Sequence, residues 1–312
     1  MMEQASRVWV AGAETLIGQA IVAALRRELP VESVIPPEAE PELADPHAVE
    51  AFFAQHRPQY VFVAAGLSGG IAHNQREPAT LMLDNLQVVT NVIPAAHRHG
   101  VRKLLYLASS CSYPRACPQP MAVESLHTGP LEPTNLAYAM AKLAGLELCR
   151  AYRRQYGAPF FTVIPANVFG PGDDFSPENS HVVSALLRKF DEAQRSGAES
   201  VSIWGSGRAR REFIYVDDLA DGCLFLLDRY DGDDPINVGS GTDHSIAELA
   251  ALCATTTGFA GEIRFDPSRP DGMPEKRLDL GPLQQLGWRA KTPLPVALGL
   301  TYEWYRNRRN CL

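Results

Sequence analysis

A chain of 312 residues, 46% hydrophobic and 21% charged, has the composition of an ordinary globular protein, with room for one elaborated domain or two coupled ones. Its formal net charge of −7 argues against a broad basic footprint for nucleic acid, and no apolar run reaches the roughly 20 residues needed to cross a bilayer. Cys111, Cys117, Cys149, Cys223, Cys253 and Cys311 form no CxxC pair and no metal-ligand spacing, and no signal-like apolar region precedes the first strand, so reduced thiols in a cytoplasmic protein are expected.

The first half alternates short apolar runs with helical patterns, as βαβ units around a parallel sheet do. RVWVAG reads as a strand and LIGQAIVAALRREL as the amphipathic helix behind it. ESVIP reads as a second strand, and DPHAVEAFFAQHRP as a helix with Asp45 as N-cap and Pro46 at its first position. YVFVAAG is a further strand, and the helix MLDNLQVVTNVIPAAHRHG ends at Gly100, which suits a C-cap. KLLYLASS is a fourth strand. A helix from about Thr134 to Tyr156 stops at Gly157 and leads into the strand PFFTVIPAN.

From Val168 the pattern loosens. FGPGDDFSPENSH is turn-rich, VVSALLRKFDEAQRSG is helical, and REFIYVDDLADGCLFLLDRY reads as a strand, turn and helix returning to the first domain. The tail from about Thr242 holds two helical segments and several short strands. The expected fold is α/β. A Rossmann-like, doubly wound parallel sheet would span 1–167 and 213–241, with a smaller α/β substrate domain over 168–212 and 242–312.

Three stretches bear chemistry. Gly12 and Gly18 frame GAETLIG between a strand and a helix, where a helix amino terminus offers N–H groups and a favourable dipole to a pyrophosphate. Thr15 stands where a middle glycine is expected, and its Cβ is expected to crowd the dinucleotide or demand a local shift. In YAMAK, Tyr138 and Lys142 lie at i and i+4 on one helical face, where an ammonium favours the phenolate and lowers a tyrosine pKa from about 10. Ser109 ends the strand KLLYLASS, within reach of the same carbonyl oxygen that Tyr138 would protonate. Cys111, two residues on, reads either as a small core filler or as a reagent facing the same pocket by strand alternation. Ser110 would point away and Tyr113 would pack in the core.

These features resemble the extended short-chain dehydrogenase/reductase family. Within it, SSCSYP, LEPTNLAYAMAKLAG, NSHVVSALLRKF, WGSGRARREFIYVDDLA, INVGSG and RPDGMPEKRLD resemble, in order and spacing, the GDP-L-fucose synthases, which act as GDP-4-keto-6-deoxy-mannose 3,5-epimerases/4-reductases. The resemblance covers almost the entire chain. It implies a Ser–Tyr–Lys catalytic set at Ser109, Tyr138 and Lys142, and an epimerisation acid/base pair at Cys111 and His181. A 4-keto group acidifies C3–H and C5–H, and inversion needs a base on one face and an acid on the other. Cys as base and His as acid suits their titration ranges, with the reverse open. His181 sits at an expected helix start, where the dipole disfavours an imidazolium.

The resemblance also implies cofactor contacts at Gly12, Thr15, Leu16, Ile17, Gly18, Glu38, Ala64, Ala65, Tyr138, Lys142, Pro165 and Val168. Substrate contacts follow at Asn167, Arg188, Trp204, Arg211 and Lys276, with the arginines and the lysine meeting the GDP diphosphate. Trp204 either stacks on the base or sugar or fills the core of the small domain. NADPH is the family's reductant. Here Glu14 and Glu38, followed by Glu40 and Glu42, occupy positions where arginines meet a 2′-phosphate, so NADP(H) or NAD(H) is expected with a weaker NADP preference. A homodimer through helices near 80–100 and 134–156 is implied, and no metal. Two other readings stand: a C4 reductase of a related GDP-4-keto-6-deoxy-heptose or hexose, and a non-catalytic nucleotide sensor supported only by Thr15 and the acidic residues.

Overall fold

The computed structural model describes residues 6–269 and 271–309, so Cys311 and the first five residues lie outside it. The first half runs β1 (Val8–Ala11), α1 (Leu16–Glu28), α2 (Pro46–His56), β2 (Tyr60–Val63), α3 (Ile71–Arg76), α4 (Pro78–Arg98), β3 (Lys103–Leu107), α5 (Leu136–Tyr156) and β4 (Phe160–Pro165). Then follow β5 (Asn167–Phe169), α6 (Val182–Ser196), β6 (Ser200–Trp204), β7 (Arg210–Tyr215), α7 (Val216–Arg229), β8 (Ile236–Val238) and β9 (Asp243–Ser245). The chain ends with α8 (Ile246–Thr257), β10 (Glu262–Asp266), β11 (Glu275–Lys276), α9 (Gly281–Gln285) and α10 (Leu294–Arg309).

Every residue of β1 and β4 is buried, as strands enclosed on both faces must be. These strands belong to a five-stranded parallel sheet of order β1-β2-β3-β4-β8. Helix α1 packs on α7, and α4 packs on α2 and α5, giving the sheet its helical cover. ESVIP, expected as a strand, is a 3₁₀ turn at Val31–Ser33 followed by a single parallel bridge from Val34 to Val8. Pro36 and Pro37 supply no N–H, so pairing stops there. That bridge still puts Val34 and β2 on opposite sides of β1, which makes the carboxyl end of β1 the point where the winding reverses and a ligand crevice opens.

The caps hold as expected: the Asp45 side chain accepts from His47 N–H, and Gly100 and Gly157 take left-handed φ of +68° and +66° after α4 and α5. REFIY, expected as a strand returning to the first domain, joins another sheet instead. Strand β7 pairs with β5 and β11 in parallel and with β9 antiparallel, and it is α7 and β8 that rejoin the first sheet. A two-stranded β6–β10 ribbon and helices α6, α8 and α10 surround a second apolar core that includes Phe169, Leu187, Phe190, Phe213, Leu249 and Leu298. The tail carries three helices rather than two, the additional α9 being five residues long. Among the described residues, no helix is long and apolar enough to cross a membrane.

One carboxylate ties these parts together. Glu212 on β7 is fully buried, and its side chain accepts from Leu278 N–H beyond β11 and Gly241 N–H beyond β8, each at 2.8 Å. Burial pushes its carboxyl up, while the N–H groups of Leu278, Gly241 and Ser240 pull it back. Replacing Glu212 by Ala strands those donors without water. A loss of about 2–5 kcal/mol in unfolding free energy is expected from urea denaturation, with a smaller loss for Glu212→Gln.

Candidate active site

The glycine loop is built around two close approaches. Gly12 has φ +83°, and a Cβ there would lie 2.5 Å from the Ala65 backbone. A Cβ on Gly18 would strike the Gly12 carbonyl. Thr15 needs no glycine, since its φ of −72° and ψ of 161° suit any residue. It is the N-cap of α1: its hydroxyl accepts from Gly18 N–H at 3.0 Å and donates to the Gly12 carbonyl at 2.8 Å. Thr15 thus serves as the cap of the loop. With the Gly18 N–H so occupied, Leu16 and Ile17 are left with first-turn N–H groups free for an anion.

The carboxylate hydrogen-bonded to this loop is that of Glu40. Glu40 accepts from Gly12 N–H at 2.7 Å and Ala13 N–H at 3.3 Å. Burial pushes its carboxyl up against those two hydrogen bonds, and the nearby Glu14 adds to the rise. The 3₁₀ turn Pro37–Ala39 directs Glu38 outward, where it is exposed, as is Glu14. Ala64 and Ala65 floor the same crevice, the Ala64 carbonyl lying 3.3 Å from the Thr15 hydroxyl.

At the end of β3 the chain turns instead of continuing extended. Ser109 caps a 3₁₀ turn over Ser110–Ser112, and the Cys111 N–H donates to the Ser109 hydroxyl at 3.2 Å. The turn, not strand alternation, brings Ser109 and Cys111 together. Ser110 is buried, and Tyr113 is in the core with its hydroxyl donating to Asn237 at 2.7 Å. From α5, burial pushes the Tyr138 phenol up and the Cys111 sulfur adds to this, while a hydrogen bond with Ser109 opposes it. The expected lowering of Tyr138 by Lys142 is corrected: the ammonium is 5.9 Å from the ring centroid, and desolvation dominates. A phenol kept neutral is the form that donates a proton. Lys142 Nζ donates to the carbonyls of Leu107 at 3.3 Å and Ala65 at 3.5 Å, and burial pulls it down to about 8.

The Cys111 sulfur is not sealed in apolar packing. It accepts from Asn135 Nδ2 at 3.1 Å and Lys276 Nζ at 3.3 Å. Burial pushes the thiol up, but the Lys276 charge and side-chain hydrogen bonds with Ser109, Lys276 and Asn135 outweigh it, leaving the thiol below its ordinary value. Arg211 pairs in register with Lys276 across β7 and β11; burial pulls its guanidinium down, and the Cys111 sulfur, Asp271 and Glu132 oppose this.

The remaining residues fall around this centre unequally. His181 caps the amino end of α6 without a side-chain cap bond, beside the buried Asp173, whose carboxyl burial pushes up and the His181 charge draws back. No hydrogen bond joins His181 to Cys111 among the described residues. The Asn167 side chain donates to the Glu212 carbonyl at 2.8 Å, while Pro165 and Val168 stand where the first sheet hands over to the second. Arg188 is engaged by Glu192 one turn along α6, at 3.0 and 3.1 Å. Trp204 is 55% exposed with the Arg269 guanidinium 5.0 Å above its ring, which excludes the core-filling reading. Asn135, Glu40 and Asp173 had not been singled out as site residues in the sequence. For Asn135 the signal was its place three residues before Tyr138.

The model of the NAD dependent epimerase/dehydratase family matches residues 8–239. The chain belongs to that family. The match takes in the glycine loop, Cys111, Tyr138 and Lys142, but stops short of Lys276. Full-length similarity reaches further. GDP-L-fucose synthase 1 of Arabidopsis thaliana is 47% identical over 305 residues, 98% of this chain and 94% of that protein. A GDP-6-OMe-4-keto-L-xylo-heptose reductase from C. jejuni has the same fold at a TM-score of 0.91 and 31% identity, over 98% of this chain and 99% of that one. A GDP-mannoheptose C4 reductase from Campylobacter jejuni with NADP bound gives 0.88 and 32%, over 98% and 100%.

Lys142 permits a test without substrate. Its folded pKa of about 8 lies below the ordinary 10.5, so folding disfavours the ammonium. The cost is present in full below about pH 8 and is relieved as pH rises from there toward 10.5. Lys142→Met is therefore expected to raise the melting temperature at pH 7 by the equivalent of roughly 2–3 kcal/mol, with the gain shrinking in alkaline buffer.

Proposed function

We propose that this chain is a bifunctional epimerase/reductase of a GDP-4-keto-6-deoxy sugar, similar to GDP-L-fucose synthase, using NADP(H). The observation that carries the reading is a thiol held by two hydrogen-bond donors beside the Ser109/Tyr138 pair. A ketone reductase needs the serine, tyrosine and lysine. It has no use for an ionisable sulfur at the same centre, whereas inversion beside a carbonyl requires such a base.

The glycine cradle, the open N–H groups of Leu16 and Ile17, and the Ala64–Ala65 floor fit a dinucleotide. A bound nicotinamide would supply the hydride for C4. The residues of this chain do the rest. Cys111 removes the proton from C3 or C5, and the resulting enolate is stabilised at its oxygen by Ser109 and Tyr138. His181 returns a proton from the opposite face, standing at the amino end of α6 beside the buried Asp173. Once both centres are inverted, Tyr138 donates its phenolic proton to the C4 oxygen as the ketone is reduced. Arg211 is suited to the diphosphate, with Arg188 beside it if Glu192 yields, and the exposed Trp204 face to a purine.

Incubation with a GDP-4-keto-6-deoxy-mannose and NADPH in deuterated water, followed by product NMR, tests this directly. Wild type is expected to incorporate deuterium at C3 and C5. Cys111→Ser is expected to lose that label while still reducing C4, and Tyr138→Phe to lose reduction by about 10²–10⁴-fold. Reduction by wild type with no deuterium incorporated favours the second reading, a C4 reductase of a related GDP-4-keto heptose, which the likeness to the two Campylobacter reductases supports. Cofactor binding without turnover on any such sugar would leave only the sensor reading, against which the complete Ser109/Tyr138/Lys142 set weighs.

NADP(H) is supported by the NADP-bound relative. Glu14 and Glu38 are both exposed near the loop, and a carboxylate there repels a 2′-phosphate, so a modest NADPH preference is expected. Glu38→Arg should raise the ratio of kcat/KM for NADPH over NADH by about tenfold, the size of one charge-assisted contact. An unchanged ratio excludes this turn from the adenosine ribose.

A further inference from the structure

Lys276 is 8% exposed, and among the described residues no carboxylate pairs with it. A buried ammonium without a counter-charge is costly, so this position needs an anion. The nearest acceptor is the Cys111 sulfur at 3.3 Å, at the carboxyl end of a different sheet. The lysine is also fixed from behind. Its backbone pairs in register with Arg211, the Gln119 side chain bonds the Glu275 carbonyl at 3.3 Å and the Arg277 N–H at 3.0 Å, and Met121 N–H donates to the Arg277 carbonyl at 2.7 Å. A residue meant only to grip a mobile diphosphate has no need of so rigid a mount.

The groups facing the sulfur come from every element around it. Lys276 stands on β11 and Arg211 on β7, Asn135 lies in the turn before α5, Tyr138 is on α5, and Ser109 precedes it in its own segment. Two are cations, three are neutral hydrogen-bonding groups, and none is a carboxylate. Glu132 and Asp271 act on Arg211, and Glu132 also pairs with Arg115 at 3.3 Å and bonds Thr134. The sulfur therefore meets positive charge from the second sheet and no opposing negative charge.

We propose that Lys276 is a positioning residue that holds the Cys111 sulfur as a thiolate, keeping it ready as the base for epimerisation, in place of the purely substrate-gripping role its motif implied. The proposal rests on the epimerase/reductase reading for its purpose, but its test does not. The proton lost by the thiol goes to solvent, and the sulfur's negative charge neutralises the buried ammonium. Asn135 adds a second donor and fixes the direction of the lone pair. When Cys111 takes a proton from the sugar, Lys276 and Asn135 lose their anionic acceptor, and the negative charge passes to the enolate oxygen beside Ser109 and Tyr138.

The test is the alkylation rate of Cys111 by iodoacetamide as a function of pH, read by mass spectrometry on the peptide that contains it. Peptide resolution separates it from Cys117, Cys149, Cys223 and Cys253, whose thiols burial pushes up. The wild-type midpoint is expected below the free-thiol value of about 8.5. Lys276→Met is expected to raise it by about one pH unit or more, and Lys276→Arg to keep it low. A wild-type midpoint at or above about 8.5 overturns the proposal, even if Lys276→Met fails to fold. So does a folded Lys276→Met protein with an unmoved midpoint. If that variant weakens GDP-sugar binding alone, Lys276 grips substrate and nothing more. If the product carries no deuterium while the midpoint shifts as expected, the epimerase reading fails and the lysine–thiolate pairing stands.

Discussion

Glu212 spends a buried negative charge on backbone N–H groups from two distant segments, and the geometry of the site follows from that. Its acceptor to Leu278 fixes the strand that ends two residues earlier at Lys276, and its own strand carries Arg211 immediately before it. Two cations are thereby set side by side on paired strands, facing the end of β3. Their side chains are long and rotamer-rich, so the burial of Lys276 in one place reflects the rigidity of the backbone beneath it. Strand β11 is only two residues long, and the Glu212 tie acts with the Gln119 and Met121 hydrogen bonds to hold it parallel to β7.

The site uses two buried lysines in opposite ways. Lys142 faces carbonyl oxygens and an aromatic ring, so burial is the dominant influence and its ammonium is weakened. Such a lysine responds readily to any oxygen-rich ligand brought beside it. Lys276 faces a sulfur that can itself ionise, and the pair settles its charge internally. The two differ in whether an ionisable partner is within hydrogen-bond reach, as the Cys111 sulfur is for Lys276.

Much of this was legible in the sequence where pattern and local chemistry agree. The strands of the first sheet are unbroken apolar runs, the caps at Asp45, Gly100 and Gly157 have one good structural use each, and Tyr138/Lys142 are fixed by helical periodicity. The misreadings share a cause: they depended on contacts between residues far apart in the chain. REFIY was assigned to the first sheet because its apolar character does not reveal its partners. Lys142 was expected to tune Tyr138 by charge, and the deeper burial of the phenol could not be read from spacing.

The placement of the groups separates two kinds of chemistry. Ser109, Tyr138 and Lys142 all belong to β3 and α5, so the reducing set is assembled within the first sheet and its cover. Cys111 also comes from that unit, but Lys276 and Arg211 come from the second sheet, and His181 comes from a helix packed in the second core. On the proposed reading, the proton donor for C4 is therefore held by one unit, whereas the thiolate depends on charges brought to it by the other.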